Sequence, residues 1–278
     1  MSAPAIAVEN LEKYFPPALT GLRSLLHPFA RATQCALGGI SFTVEPGEAM
    51  AIVGHNGAGK STLLRILATL IVPTRGRAAL GGFDVERDGQ AARSRLGYHT
   101  GGDEGFFARL SGRENLAFFA AMNNMMGPAA RERIDSVARL IGVADDLDRQ
   151  VRTLSTGMTH RLGLARAFLH GPAVLLLDEP TRSLDPLAAA DFRRMLKDDL
   201  VRRRGTTLLF ASHTLSEVDE IADRILLLDH GKLLACDSPR GLRAATGTTS
   251  LEAAIAHLAR PSAPPARGFG ERSGEAPS

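Results

Sequence analysis

The sequence contains few residues of the kinds that mark disulfide-bonded or membrane-spanning proteins. Among 278 residues it has no tryptophan, two tyrosines and two cysteines. Cys35 and Cys236 lie far apart and have neither metal-binding nor redox spacing, which indicates ordinary thiols in a reducing compartment. No apolar run approaches the roughly 20 residues that span a bilayer, and no signal-peptide pattern opens the chain. We therefore expect a cytoplasmic protein.

The positive and negative charges of the sequence nearly balance, with 33 lysines and arginines against 30 aspartates and glutamates. The formal net charge of +3 is too small to indicate a nucleic-acid partner, and we expect none. The arginines within 193–204 favour a solvated helix face. A hydrophobic fraction of 44% and a charged fraction of 23% are typical of a globular chain with a large core.

One glycine-rich stretch fits the pattern G-x-x-x-x-G-K-[ST] of a phosphate-binding loop. An apolar strand candidate, 49–53, precedes it, and leucines and isoleucines at helical spacing follow it. A chance match would lack this strand-loop-helix context, although an ordinary turn before a helix is the alternative. The residues of the stretch are Gly54, His55, Asn56, Gly57, Ala58, Gly59, Lys60, Ser61 and Thr62.

This loop predicts nucleotide binding. Its glycines allow a tight turn that directs backbone N–H groups and a helix N-terminus at the β- and γ-phosphates. Lys60 adds a positive charge there, and the Ser61 hydroxyl is placed to ligate Mg²⁺.

A second candidate site lies at the end of the apolar strand 174–178, where Asp178 and Glu179 stand together. Ligands of parallel sheets bind beyond the carboxyl ends of the strands, where the phosphate loop also lies. Asp178 can hold Mg²⁺, and Glu179 can orient and deprotonate an attacking water. The alternative is that the two acids cap the next helix.

Two further segments are ambiguous. An aromatic upstream of a phosphate loop, Phe15 or Tyr14, can stack on an adenine ring or pack on its own sheet. The segment 16–36 is basic and weakly amphipathic, which suits a membrane or partner surface, but a plain surface loop is the favoured interpretation.

Strand and helix patterns alternate along most of the chain. We expect strands at 174–178, 206–211 and 225–229 and a helix over 186–203. A helical block over about 105–168 interrupts this alternation and predicts an inserted subdomain. The predicted division is one domain over 1–245, followed by a C-terminal helix and a disordered tail over 246–278.

Three more motifs, in order, give the chain a resemblance to a known family. Residues 154–158 (LSTGM) resemble the L-S-G-G-Q signature of ATP-binding-cassette (ABC) ATPases. The acidic strand follows about twenty residues later, then 181–186 (TRSLDP), which resembles the family's D-loop, and then His213, which resembles its switch histidine.

The resemblance implies an α/β fold: a P-loop NTPase, RecA-like core with an antiparallel β subdomain and an inserted α-helical subdomain. It implies ATP and Mg²⁺ as cofactors, Glu179, His213 and Lys60 as catalytic residues, and Phe15 as the adenine-stacking aromatic. It also implies a head-to-tail dimer, in which Ser155 and Gly157 of one subunit cap the ATP of the other and Asp185 joins the nucleotide-binding residues.

The sequence departs from the family's pattern at three places. By spacing, Phe15 stands where the family has its adenine-stacking tyrosine, with Tyr14 beside it. A glutamine that reaches Mg²⁺ and the attacking water is missing, since 101–104 is GGDE. Either Asp103 or Glu104 substitutes for it, or water completes the Mg²⁺ shell. Thr156 replaces the first signature glycine but keeps a backbone N–H donor, so we expect the signature to function.

Residues 110–116, and 154–158 together with 181–186, resemble segments of ABC-2-type exporters. Residues 249–255 resemble the end common in drug and polysaccharide exporter subunits. The resemblance therefore implies an ATP-hydrolysing subunit at the cytoplasmic face of the membrane that powers export by a separate transmembrane permease. The alternatives are a soluble ABC ATPase coupled to nucleic acid or translation, and an ATP-binding regulatory cassette with weak hydrolysis.

Overall fold

A computed structural model describes residues 3–16, 34–100, 105–182 and 184–259. Its largest sheet has six strands in the order β10-β9-β3-β8-β7-β6. The five strands from β9 to β6 run parallel, and β10 pairs antiparallel with β9 at one edge. In chain order its strands are β3 (Ala49–Val53), β6 (Leu96–His99), β7 (Val174–Asp178), β8 (Thr207–Ala211), β9 (Arg224–Asp229) and β10 (Lys232–Asp237).

Strand β3 is apolar along its whole length and can pack on both faces, which suits an inner strand of a parallel sheet. All five of its residues are buried. Its neighbours are β8 and β9, so its carboxyl end opens at the same edge as theirs. Ala49, Ala51 and Val53 pack into one hydrophobic cluster, and Met50 and Ile52 pack into a second on the opposite face. The phosphate loop therefore starts from a strand that is buried along its whole length.

A second sheet is antiparallel and has the order β2-β1-β4-β5. Its strands are β1 (Ile6–Phe15), β2 (Gln34–Val44), β4 (Arg75–Leu80) and β5 (Phe83–Asp84). Alternate residues of β1, such as Ile6 and Val8, are buried in the second cluster, which attaches this sheet to the main sheet.

Among the described residues, three α-helices stand between β6 and β7, which are neighbours in the main sheet. They are α3 (Gly112–Met122), α4 (Gly127–Ile141) and α5 (Thr156–Phe168). Helix α3 begins with a capping box in which the Ser111 hydroxyl and the Glu114 carboxylate each accept a backbone N–H of the other. Because they lie between two strands that pair with each other, these helices form an insertion in the strand-helix core.

The remaining helices connect or follow the strands. They are α1 (Lys60–Leu67), α2 (Gly89–Ser94), α6 (Pro186–Arg194), α7 (Leu215–Ile221), α8 (Pro239–Thr246) and α9 (Leu251–Leu258). Helix α6 continues without interruption as a π-helix, Met195–Arg203, so the predicted helix over 186–203 is one rod of two hydrogen-bonding patterns.

The structure agrees with the predicted fold class, including the antiparallel sheet and the inserted helices. The sequence predicted strands 49–53 and 174–178 with their observed bounds, whereas β6 was not predicted. The segment 17–33 and residues 260–278 lie outside the described residues, so the interpretations made for them stay predictions. The domain boundaries also stay predictions.

Candidate functional site

The phosphate loop leaves β3 at Gly54 and enters α1 at Lys60, and its glycines stand where other residues do not fit. A Cβ on Gly54 would lie 2.3 Å from the carbonyl oxygen of Leu228 in β9. Gly59 has φ +107°, and a Cβ there would lie 2.5 Å from the oxygen of Ala36. Gly57 has φ +86°. The loop is thus pressed against neighbouring backbone and takes left-handed turns that favour glycine.

Helix α1 offers unpaired N–H groups to this loop. The first α-helical hydrogen bond runs from Leu63 N–H to Gly59 O, so the N–H groups of Lys60, Ser61 and Thr62 precede the helical ladder. They and the helix dipole form an anion-binding end. The local fold therefore supplies what the sequence motif predicts for phosphate.

Lys60 is buried within the loop. Its Nζ donates to the backbone oxygens of Gly54 at 2.7 Å and His55 at 3.0 Å. Burial lowers the pKa of the Lys60 ammonium, and the nearby charges of Glu179 and Asp178 oppose that shift. The ammonium thus holds the loop closed around itself and lies within electrostatic reach of both acids.

The two acids stand at the carboxyl end of β7, next to β8: Asp178 is the last residue of the strand and Glu179 follows it. Glu179 has φ +52°, which is uncommon for a residue with a side chain, and its N–H donates to Ala211 O at 2.9 Å. Its Oε1 lies 3.3 Å from Nδ1 of His213, and its Oε2 lies 3.1 Å from Nη1 of Arg182. The structure therefore brings Glu179 and His213 together, although 33 residues separate them in sequence.

The alternative that Asp178 and Glu179 cap the next helix is wrong. The N-cap of α6 is Asp185, whose carboxylate accepts N–H groups of Leu187 at 3.1 Å and Ala188 at 2.9 Å. The strand-end acids therefore have no capping role there, and Asp185 has a structural role besides the nucleotide contact predicted for it.

A cavity of about 330 Å³ lies between these elements. It has the size of a small-molecule site. The ends of the antiparallel strands form one wall, the phosphate loop and α1 form the floor, and one acid closes the far side. Its lining residues are Phe15, Gln34, Cys35, Ala36, Asn56, Gly57, Gly59, Lys60, Ser61, Thr62 and Glu179.

Of the two candidate aromatics, Phe15 lines this cavity and Tyr14 does not. Successive side chains of a strand point to opposite faces, so only one of the pair can face the phosphate loop. The Lys13 Nζ lies 5.1 Å from the centroid of the Phe15 ring. The expected adenine wall is therefore geometrically available at Phe15.

The predicted signature residues are elsewhere in the same chain. Ser155 caps α5, where its hydroxyl accepts the N–H of Met158 at 3.2 Å, and Met158 Sδ lies 3.4 Å from the Ser155 N–H. Neither Ser155 nor Gly157 lines the cavity. Residues 101–104, where the family's glutamine is missing, lie outside the described residues.

Sequence reasoning missed Glu217. This carboxyl is buried within electrostatic reach of His213 and accepts the Ser212 hydroxyl at 2.6 Å. Burial raises the pKa of Glu217, while the hydrogen bonds of Ser212 and Thr181 and the charges of Arg193 and His213 lower it. Nothing in the local sequence separates it from the exposed acids of α7, so no signal was available.

A strand-loop-helix phosphate site next to a strand-end carboxylate and a histidine defines a phosphate-loop nucleotide-binding protein. The family model described as "ABC transporter" matches residues 37–182. The ABC transporter ATP-binding protein NatA of Bacillus subtilis is 33% identical over 195 residues, which cover 70% of this chain and 78% of that protein. The chain belongs to the ABC transporter ATP-binding family.

Two other comparisons agree. The daunorubicin resistance ATP-binding protein DrrA3 of Streptomyces coeruleorubidus is 37% identical over 223 residues, covering 79% of this chain and 69% of that protein. The solved structure of cbiO1 from Clostridium perfringens, part of the ABC transporter complex cbiONQ, has a TM-score of 0.73 and 26% identity. That match covers 87% of this chain and 92% of cbiO1.

The chain is therefore an ATP-binding, ATP-hydrolysing subunit of an ABC transporter. ATP-binding subunits of this family dimerise and work with transmembrane partners. Among the described helices, none has the length and apolar character needed to cross a bilayer.

Proposed function

We propose that two nucleotide-binding subunits, most simply two copies of this chain, close head to tail around two ATP molecules. The observation that carries this proposal is the separation within one chain of Lys60, Glu179 and His213, at the cavity, from Ser155 and Gly157, on the inserted helices. A second subunit supplies the missing anion-binding helix end by placing its α5 over the cavity.

Within the closed pair, residues of this chain have distinct tasks. The backbone N–H groups of 57–62 and the Lys60 ammonium hold the β- and γ-phosphates. Glu179 orients a water for in-line attack on the γ-phosphate and takes its proton. His213, 3.3 Å from the Glu179 carboxylate, fixes that carboxylate and contacts the γ-phosphate from the side. The Phe15 ring stacks on adenine.

The residues also fit Mg²⁺. Ser61 lines the cavity, and the charge of Asp178 reaches Lys60, so a hydroxyl and a carboxylate face the same region. Oxygen ligands of this kind suit Mg²⁺, which keeps most of its waters. When bound, the ion neutralises charge on the phosphate oxygens. Ser61 and Asp178 would hold it.

The membrane partner has a candidate docking surface on the inserted helices. Four large apolar side chains there are exposed by 43–74%, and the rings of two of them, Phe107 and Phe118, meet at 5.0 Å. This apolar face comprises Phe107, Phe118, Met122 and Met126. Exposed apolar surface of this kind is typical of protein interfaces. We assign it to the transmembrane permease, which places the chain peripherally on the cytoplasmic face of the membrane.

Export is the proposed direction. It is supported by the resemblance of 110–116 and 249–255 to ABC-2-type exporters and by the similarity to a drug-resistance ATP-binding protein. Closure on ATP and reopening after hydrolysis would move the permease between two states.

The test measures ATP turnover per subunit against protein concentration. A site completed by a second subunit gives turnover per subunit that rises with concentration. Glu179→Gln should abolish this turnover while ATP binding remains. Glu220→Gln, which changes an exposed acid paired with Arg193, is the control and should behave like wild type.

Turnover per subunit that is constant at all concentrations would refute the shared site. Equal low turnover of wild type and Glu179→Gln, with and without the permease, would instead favour a regulatory cassette that binds ATP and hydrolyses it poorly.

A further inference from the structure

A cluster of two histidines and an aspartate lies on the outer side of the phosphate loop. His55 follows β3, Asp229 ends β9, and His230 begins the turn to β10. Since β3 and β9 pair in parallel, their carboxyl ends bring these residues together. One ligand atom from each lies within 4.8 Å of the other two.

The distances within the cluster are close to those of a metal ligand set. Nε2 of His55 lies 2.9 Å from Oδ1 of Asp229, and Nε2 of His230 lies 3.9 Å from the same oxygen. The two imidazole rings stand 4.6 Å apart, tilted by 54°. No side chain of the cluster lines the ATP cavity, so these groups are available to a ligand other than the nucleotide.

The hydrogen bonding of His55 fixes which nitrogen faces the carboxylate. Nδ1 lies 2.6 Å from the backbone oxygen of Asn56, which can only accept, so Nδ1 carries the proton. In the neutral ring Nε2 then presents a lone pair to the Asp229 carboxylate. Nε2 lies 2.9 Å from Oδ1 of Asp229, which is close enough for one cation to bind both atoms.

A metal-bound histidine has this same arrangement, with its second nitrogen donating to a backbone carbonyl. We propose that His55, Asp229 and His230 form a binding site for a zinc-class divalent ion. Two imidazoles and one carboxylate are ligands that Zn²⁺ accepts, with water in the fourth position.

Such an ion would join the phosphate loop to the β9–β10 turn. The two are already in contact, because the Gly231 N–H donates to Ala58 O at 3.0 Å. The His55 carbonyl also accepts from the Lys60 ammonium. The ion would therefore attach the first part of the loop, at His55, to the β9–β10 turn. The hydrogen bond of Gly231 already attaches the middle of the loop, at Ala58, to the same turn. This site is separate from the Mg²⁺ site and does not depend on the proposed catalytic roles.

The test is Zn²⁺ binding to the purified chain without nucleotide or Mg²⁺, measured by competition with a chromophoric chelator in a non-chelating reductant. The variants are His230→Ala and Asp229→Asn, which leave the phosphate loop sequence intact. The matched control is His257→Ala, an exposed histidine on α9 outside the cluster. Thermal unfolding of each variant verifies that it is folded.

We expect one Zn²⁺ per wild-type chain and per His257→Ala chain. Loss of a direct ligand should weaken binding at least as much as loss of an outer-shell partner, which costs about 10–100-fold. Cobalt should give a tetrahedral visible spectrum in wild type and lose it in His230→Ala. Equal Zn²⁺ affinity of wild type and both cluster variants, or no binding to wild type, would overturn the proposal.

Discussion

Replacement of Gly54 by alanine tests the close packing of the phosphate loop on β9. Gly54 has an ordinary φ, so alanine meets no backbone strain there, and the effect comes from contact alone. The added Cβ would lie 2.3 Å from the Leu228 carbonyl oxygen and 2.9 Å from the Ala58 Cβ. The carbonyl belongs to β9, which is paired with β3, so it yields only if the two strands separate.

The size of the effect follows from that overlap. Overpacking a well-filled interior costs about 1–3 kcal/mol in the free energy of unfolding. For a domain of this size each kcal/mol lowers the melting temperature by about 2–4 °C, so a fall of about 2–12 °C is expected. ATP affinity should fall as well, because the loop that holds the phosphates must move away from β9.

The control is Gly89→Ala at the start of α2. Its new Cβ would meet only the end of the flexible Arg93 side chain, at 3.1 Å. Alanine is favoured over glycine in a helix by about 0.5–1 kcal/mol, so this variant should melt at or slightly above the wild-type temperature. Thermal unfolding and ATP titration measure both. If Gly54→Ala melts and binds ATP like wild type, the packing argument is refuted.

Three other predictions concern the cavity and its surroundings. Phe15→Ala should weaken ATP binding by about 5–150-fold, since stacking on a base is worth about 1–3 kcal/mol, while Phe15→Tyr should keep most of the affinity. Equal affinities of all three proteins would contradict the stacking. Bound ATP should slow alkylation of the cavity thiol Cys35 but not of Cys236, which lies outside the cavity, and equal slowing of both would contradict the assignment. Burial raises the pKa of Glu217, so the folded protein retains this proton longer than the unfolded chain and loses stability as pH rises from the usual carboxyl range through the raised pKa. Glu217→Gln should therefore raise the unfolding midpoint more at about pH 8 than at about pH 5, and a pH-independent change would contradict it.

The elements predicted well from sequence are those with a strong local signal. The strand 49–53 is apolar at every position and the strand 174–178 is apolar up to Asp178, and the phosphate loop and the sequence Glu-Pro follow them. Strand β6 has only four residues, Leu96–His99, and includes a glycine that lies against the backbone oxygen of Ala167. Strand β6 forms because it pairs with β7. Pairing between segments distant in sequence gives no pattern in the local sequence from which the strand could be predicted.

The candidate site divides in the same way. The residues of the phosphate loop are consecutive in sequence, and so are the two strand-end acids, so local sequence patterns were enough to predict both parts of the site. The choice of Phe15 over Tyr14 required the register of β1, and the approach of His213 to Glu179 required the adjacency of β7 and β8. The cluster of His55, Asp229 and His230 combines residues about 175 positions apart, which only the β3–β9 pairing brings together.

That same pairing has a consequence during synthesis. Strand β3 is made early, yet both of its neighbours, β8 and β9, come from residues 207–229. At about 5–20 residues per second the ribosome needs about 10–30 s to supply them. During this interval the apolar segment 49–53 has no partners, and the phosphate loop has no wall at Leu228. The nascent chain therefore gains the β9 wall behind its phosphate loop only after residues 207–229 have been made.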